Sequence, residues 1–178
     1  MSGIVGSKLN IRGSGLVGSL GTDGQHLLSA GPGVTNVFET AAGGGKVLQV
    51  IQYLDDTARA TTAGIWTDAS STLGGVITCA ATSSKVLCIM NTSTYITAND
   101  ASMTIFRDAT NLGHSSYGLA YLHVISGLDQ TTLMILDSPS STSELTYQVK
   151  CGNNSGGSTL TLGNNTTNGS FILMEIGA

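Results

Sequence analysis

Downstream of residue 46, short apolar stretches recur about every ten residues, separated by turn-forming residues. KVLQVIQYL (46–54) is an apolar stretch broken by Gln49 and Gln52. GIWTDA (64–69) follows a Thr/Ala loop. Then come GGVITCA (74–80), KVLCIMNTS (85–93), SMTIFRD (102–108), YGLAYLHVI (117–125), TTLMILD (131–137), ELTYQVK (144–150), STLTL (158–162) and SFILMEI (170–176). The turns between them include Ser83-Ser84, residues 108–113, Ser138-Pro139-Ser140-Ser141, 153–157 and 164–169. No segment sustains the i, i+3, i+4 spacing of an amphipathic helix. Regular strand spacing without helices predicts an all-β, antiparallel β-sandwich, and this many strands over 46–178 suits a jelly roll.

Two of these strands depart from alternation. TTLMILD and SFILMEI are nearly unbroken apolar runs, whereas a strand with one face in water alternates. Burial on both faces is the expectation, by a second sheet on one side and another subunit on the other; one thick core is the alternative. In YGLAYLHVI, Tyr117, Tyr121 and His123 share a face. Tyrosine combines a large apolar body with a polar tip, which suits interfaces. Tyr117, Tyr121, His123, Phe171 and Leu173 are therefore the expected subunit contacts.

Residues 1–45 have a different texture. They hold half of the 24 glycines and only four charges, Lys8, Arg12, Asp23 and Glu39. Single aliphatics punctuate them, too many for a Gly/Ser linker and too scattered for a compact unit. An extended Gly-rich arm that lies on a partner chain accounts for both features, with Ile4, Val5, Leu9, Ile11, Leu16, Val17 and Leu20 entering pockets and Lys8 and Arg12 meeting acidic groups. Within it, RGSGLVGSLG carries G-x-G-x-x-G on Gly13, Gly15 and Gly18. A dinucleotide turn needs a helix to receive the pyrophosphate. The following SLGTDGQHLLSAGPG holds four glycines and a proline, so the motif is read as structural.

Composition narrows the function. Charged residues are 10% of the 178-residue chain against an ordinary ~25%. The net charge is −4, and the seven Lys and Arg are scattered, which argues against nucleic acid. No apolar run approaches the roughly 20 residues of a membrane-spanning helix, and MSGIVGSKLN has no secretory-signal pattern. Cys79, Cys88 and Cys151 lack metal or redox spacing; with Cys88 inside VLCIM, buried thiols made in a reducing cytoplasm are expected. His26, His114 and His123 form no catalytic pattern with a nucleophile and an orienting acid, so a non-enzymatic protein without a cofactor is expected. Asp55, Asp56, Asp68, Asp100 and Asp129 near strand ends suit hard cations by chemistry, but no calcium-loop motif joins them. Asp55-Asp56 is read as a strand cap with Arg59 as a partner, and Arg107-Asp108 as an ion pair.

Two resemblances add context. GTDGQHLLSAGPGVTNVFET (21–40) resembles the G-x-x-G-Q-x-L-x-S-x-G-x-G motif, followed by an aromatic, of bacteriophage tail-fibre and virion-surface proteins. The matching residues are Gly21, Gly24, Gln25, Leu27, Ser29, Gly31, Gly33 and Phe38, where the family often has Trp. Ser84-Lys85-Val86-Leu87, Ile105-Phe106-Arg107-Asp108, Leu145-Thr146-Tyr147 and Phe171-Ile172-Leu173 resemble the C1q/TNF-like trimeric jelly-roll modules of phage surface proteins. Together they imply a homotrimeric virion structural protein made in the host cytoplasm and carried on the outer surface of the particle. With so short a lead before the body, the expected role is capsid decoration (a cement protein), the arm binding the major capsid protein. The alternative is a short tail fibre or receptor-binding tip, its arm on a tail adaptor and loops 108–116 and 152–169 touching host surface glycan. A free lectin-like domain is the third reading.

Overall fold

The computed structural model describes residues 10–11, 15–16, 25–28, 37–40, 47–56, 59–62, 64, 66–69, 73–97, 100–123, 127–153, 159–163 and 169–177. Among them every regular element is a strand. The chain divides into two compact units, Met1–Gly44 and Gly45–Ala178. Among the described residues the first holds two short antiparallel pairs: β1 (Asn10–Ile11) with β2 (Gly15–Leu16), and β3 (Gln25–Leu28) with β4 (Val37–Thr40). In the second pair Leu27 stands opposite Phe38, so two positions of the 21–40 motif meet across one ladder. Ile11 and Leu16 fall in β1 and β2. Ile4, Val5, Lys8, Leu9, Arg12, Val17 and Leu20 lie outside the described residues.

The second unit contains β5 (Val47–Asp55), β6 (Arg59–Thr61), β7 (Thr67–Asp68), β8 (Gly74–Thr78), β9 (Lys85–Ile96), β10 (Asp100–Arg107), β11 (Thr110–Asn111), β12 (Ala120–His123), β13 (Gly127–Asp137), β14 (Glu144–Asn153), β15 (Leu160–Leu162) and β16 (Gly169–Ile176). Eight of them carry the architecture. Taken in chain order (β5, β8, β9, β10, β12, β13, β14, β16), the first pairs with the eighth, the second with the seventh, the third with the sixth and the fourth with the fifth, all antiparallel. That is the pairing of a long hairpin rolled into two sheets, a jelly roll. The first sheet runs β13–β9–β16–β5, with β15 and β6 extending it beside the far end of β9. The second runs from β12 and β11 through β10 and β14 to β8 and β7.

Alternation decides which residues fill the space between the sheets. Val86, Cys88 and Met90 from β9 and Phe171 and Leu173 from β16 meet Met103 and Ile105 from β10 and Tyr147 and Val149 from β14, all fully buried. The sheets are also stitched at one edge. Tyr53 Oη donates to the Val76 carbonyl at 3.1 Å and accepts from the Val76 N–H at 3.0 Å. Gly75 lies against that tyrosine ring so closely that a Cβ there would sit 1.9 Å from it.

Several boundaries differ from the expected ones. β9 runs on to Ile96 because Thr92, Thr94 and Ile96 continue the inward face, and Thr94 and Thr131 share a buried hydroxyl hydrogen bond at 2.9 Å. β13 begins at Gly127 to match it. Arg59–Thr61, read as loop, is a strand paired to β15. Thr110–Asn111, read as turn, pairs the end of β10. β12 covers Ala120–His123, and residues 124 and 125 of the expected strand lie outside the described residues; Tyr117 precedes it in a turn, because Gly118 adopts a left-handed φ of 68° that interrupts the strand.

Candidate functional site

The outward face of the second sheet gathers four of the chain's nine aromatic residues and two of its three histidines. Tyr121 and His123 project there from β12 opposite Ser102 and Asp100 of β10. Tyr117 joins them from the preceding loop, which is held by its own hydrogen bonds. Asn111 Oδ1 accepts from Thr104 Oγ1 at 2.7 Å and the Gly113 N–H at 2.9 Å. The His114 and Gly118 main chains exchange hydrogen bonds at 3.0 and 2.8 Å, and the Leu119 N–H reaches the Met103 carbonyl at 2.8 Å. His114 Nδ1 accepts from the Ser116 and Tyr117 N–H groups, both at 3.2 Å, which places the ring proton on Nε2. Beneath the loop Trp66 donates from Nε1 to the Ser115 carbonyl at 2.9 Å.

The result is a stack of rings. Tyr117 lies over His114 with centroids 5.2 Å apart and planes 17° from parallel. Tyr121 meets Tyr117 edge-on at 5.1 Å and 79°. Both tyrosines are about half exposed. A hydrogen bond to Asp100 pushes the Tyr121 hydroxyl up to about 12, with desolvation and the carboxylate's charge adding to it. Asp100 Oδ1 also pairs with His123 Nδ1. Alongside, Trp66 packs edge-on to Phe106 at 6.3 Å, Lys150 Nζ sits 4.9 Å over the Phe106 ring, and Lys150 is bound to Asp68 at 3.0 Å. Four of the nine Phe, Tyr and Trp residues and two of the three histidines therefore share this face.

The outward face of the first sheet is different. Its register forms rows across four strands: Val50–Met174–Leu87–Leu136, then Gln52–Ile172–Ile89–Met134. Seven of those eight side chains are apolar, and none is charged. Val50, Met134 and Leu136 are 57%, 66% and 51% exposed, and Leu54 and Leu128 farther along the same face are 59%. An exposed apolar area on the order of several hundred Å² marks a contact surface in soluble proteins.

A polar cluster links the two sheets. Asp137 of β13 accepts from Arg107 Nη1 at 2.6 and 2.8 Å and from Tyr147 Oη at 2.7 Å. Burial opposes the Arg107 charge, but the hydrogen bond and charge of Asp137 outweigh it and raise the guanidinium pKa. Burial, with the Asp137 contact added, drives the Tyr147 hydroxyl far up. The expected Arg107–Asp108 pair is replaced by this one. Asp108, with φ of 51°, instead accepts from the Thr146 N–H at 3.0 Å. At the first sheet's inner edge, Glu175 accepts from Gln49 Nε2 and the Ala80 N–H, each at 2.7 Å. Burial would raise that carboxyl; the hydrogen bonds more than offset it and hold it low. Burial pushes the Cys88 and Cys151 thiols up to about 12.

The residues expected at a subunit contact are thus divided. Tyr117, Tyr121 and His123 stand together on the second sheet's outward face. Phe171 and Leu173 are fully buried inside the sandwich, which corrects their assignment to an interface. An unbroken apolar run hides which alternate positions point inward; here Gly169, Phe171, Leu173 and Glu175 do. Their neighbours Ile172 and Met174 face outward. Asp55 ends β5 and is buried, Asp56 is exposed, and the side chain of Arg59 lies outside what is described. No three His, Cys, Asp or Glu side chains gather as a metal site among the described residues. Asp100, His114 and Trp66 were not foreseen as parts of one cluster. The available signal was Gly113-His114-Ser115-Ser116-Tyr117-Gly118, a polar turn bracketed by glycines. No protein-family model and no curated protein matches the sequence.

Proposed function

We propose that the chain is a non-enzymatic structural protein of a bacteriophage virion, a homotrimeric decoration protein on the outer capsid surface, anchored by its N-terminal unit to the major capsid protein. The observation that carries the reading is the two-row apolar face of the β13–β9–β16–β5 sheet. A second copy is the occupant it fits. The chain is acidic, at −4, so copies meet with least repulsion through a surface that holds no charge. Burying each half-exposed aliphatic contributes on the order of 1 kcal/mol, and the rows hold enough of them for a specific contact. Three copies turning these faces to a common axis close the assembly. The unbroken runs TTLMILD and SFILMEI fit this arrangement, with their outward halves meeting a neighbour.

The virion context rests on the motif at 21–40. Removing residues 2–40 is expected to leave a folded trimer, by light scattering and circular dichroism, that no longer binds particles. A truncated protein that still decorates capsids overturns the anchoring role, and a full-length monomer overturns the trimer. The short tail-fibre reading keeps the same trimer but seats the arm on a tail adaptor. The aromatic face is the observation that favours it, and antibody labelling of particles in negative stain separates the two locations.

A further inference from the structure

We infer that the Tyr117–Tyr121 surface is a binding platform for a neutral, gluco-configured pyranose glycan. The inference stands on the second sheet's outward face alone and does not depend on where the protein resides. Three features point to a sugar. First, the rings are exposed yet fixed. Tyr117 is held by the His114 stack and by its N–H bond to His114 Nδ1, and Tyr121 by its strand and its bond to Asp100. A rigid exposed aromatic loses little entropy on binding, which suits a ligand that offers small contacts one ring at a time. A pyranose with equatorial hydroxyls presents a flat C–H face to such a ring.

Second, the groups beside the rings both donate and accept hydrogen bonds. The Tyr121 hydroxyl, the Asp100 carboxylate and the His123 imidazole form one chain of hydrogen bonds at the platform edge. Sugar hydroxyls are donor and acceptor at once and extend a chain of that kind in either direction. Tyrosine also anchors protein interfaces, and the assembly mass of the tyrosine variants separates that occupant from a sugar. Third, the charge balance excludes an acidic ligand. Asp100 is a carboxylate at the platform, while Lys150 is bound to Asp68. A uronic acid, sialic acid or phosphate would meet repulsion at Asp100, with no unpaired lysine or arginine there among the described residues.

The test uses the full-length protein and three named probes: cellohexaose, maltohexaose and chitohexaose, followed by saturation-transfer NMR. The expected result is transfer to the axial C–H protons of at least one hexasaccharide. Tyr117→Ala and Tyr121→Ala should each weaken it roughly tenfold or more, with unchanged circular dichroism and unchanged mass by light scattering. Tyr117→Phe keeps the ring and should bind within about twofold of the parent. Asp100→Asn should weaken binding without disturbing the ring stack. Heparin and colominic acid serve as acidic comparators and should show no transfer. Absence of transfer with all three neutral probes overturns the proposal. So does binding that survives both alanine variants, binding of the acidic comparators alone, or a change of assembly mass in the tyrosine variants, which would make the platform a contact between copies.

Discussion

The two outward faces of the sandwich are built on the same pleat and serve different chemistry. Two central rows of the β13–β9–β16–β5 face are aliphatic apart from Gln52 and carry no charge, with Lys85 at the end of β9 beyond them. The β12–β10–β14 face carries stacked rings, a histidine–aspartate pair and a lysine bound to aspartate. An aliphatic face loses water gladly and asks little of its partner's orientation. A face of rings and hydrogen-bond chains gains only when a partner's polar atoms arrive in register. One face is thus suited to permanent association and the other to selective, reversible contact.

The largest effect is expected from charging the aliphatic rows. Met134→Asp with Leu136→Asp places two carboxylates on the edge strand, and for the proposed trimer light scattering should show three chains falling to one. Tyr117→Ala with Tyr121→Ala should leave the mass untouched. If the two results exchange places, the division of labour between the faces is wrong.

Removing the link between the sheets comes next, because it acts on both faces together. Asp137→Ala leaves Arg107 and Tyr147 without their shared acceptor and should cost about 2–4 kcal/mol in urea unfolding. A loss well under that range would mean the link adds little to either face.

A smaller and one-sided effect is expected at Gly118. A Cβ there would lie 2.4 Å from the Met103 carbonyl and 2.8 Å from the Trp66 ring, at a left-handed φ. Gly118→Ala should cost about 1–3 kcal/mol and shift Trp66 fluorescence while the assembly mass stays the same. Unchanged fluorescence would show that the loop is not held as described.

The smallest effect belongs to Glu175, on the inner side of the aliphatic sheet. Its folded pKa lies below the unfolded value of about 4.3. The carboxylate's contribution is therefore present above about pH 4.3 and is lost as the pH falls through the lower folded pKa. Glu175→Gln should be less stable than the parent by on the order of 1 kcal/mol near neutrality, and chemical denaturation across the acid range should show that gap closing. A gap that widens in acid would reverse the assigned direction.

Much of the sandwich was legible from local pattern. β5, β8, β14 and β16 fall within two or three residues of their expected ranges, because each is a run of strand-forming residues with glycine, serine or asparagine at or near at least one end. What escaped is what depends on distant partners. Thr94–Ile96 becomes strand because Gly127–Asp129 lies beside it. Arg107 takes Asp137 over the adjacent Asp108 because the opposing sheet brings that carboxylate to its guanidinium. The inward parity of Phe171 and Leu173 is set by pairing, which an all-apolar run does not reveal. The aromatic face escaped for the same reason: Trp66, Asp100 and Tyr117 are far apart along the chain and meet only through β10 and its neighbours.

The pairing of first strand with eighth has a consequence for biosynthesis. β16, made after the other strands of the sandwich, fills the slot between β9 and β5 and supplies Phe171 and Leu173 to the interior. Until it arrives, two apolar strands wait with bare edges facing each other across a gap. Nascent chains stalled before residue 169 should bind holdase chaperones and clump, and the sandwich should close only once residues 169–176 have emerged.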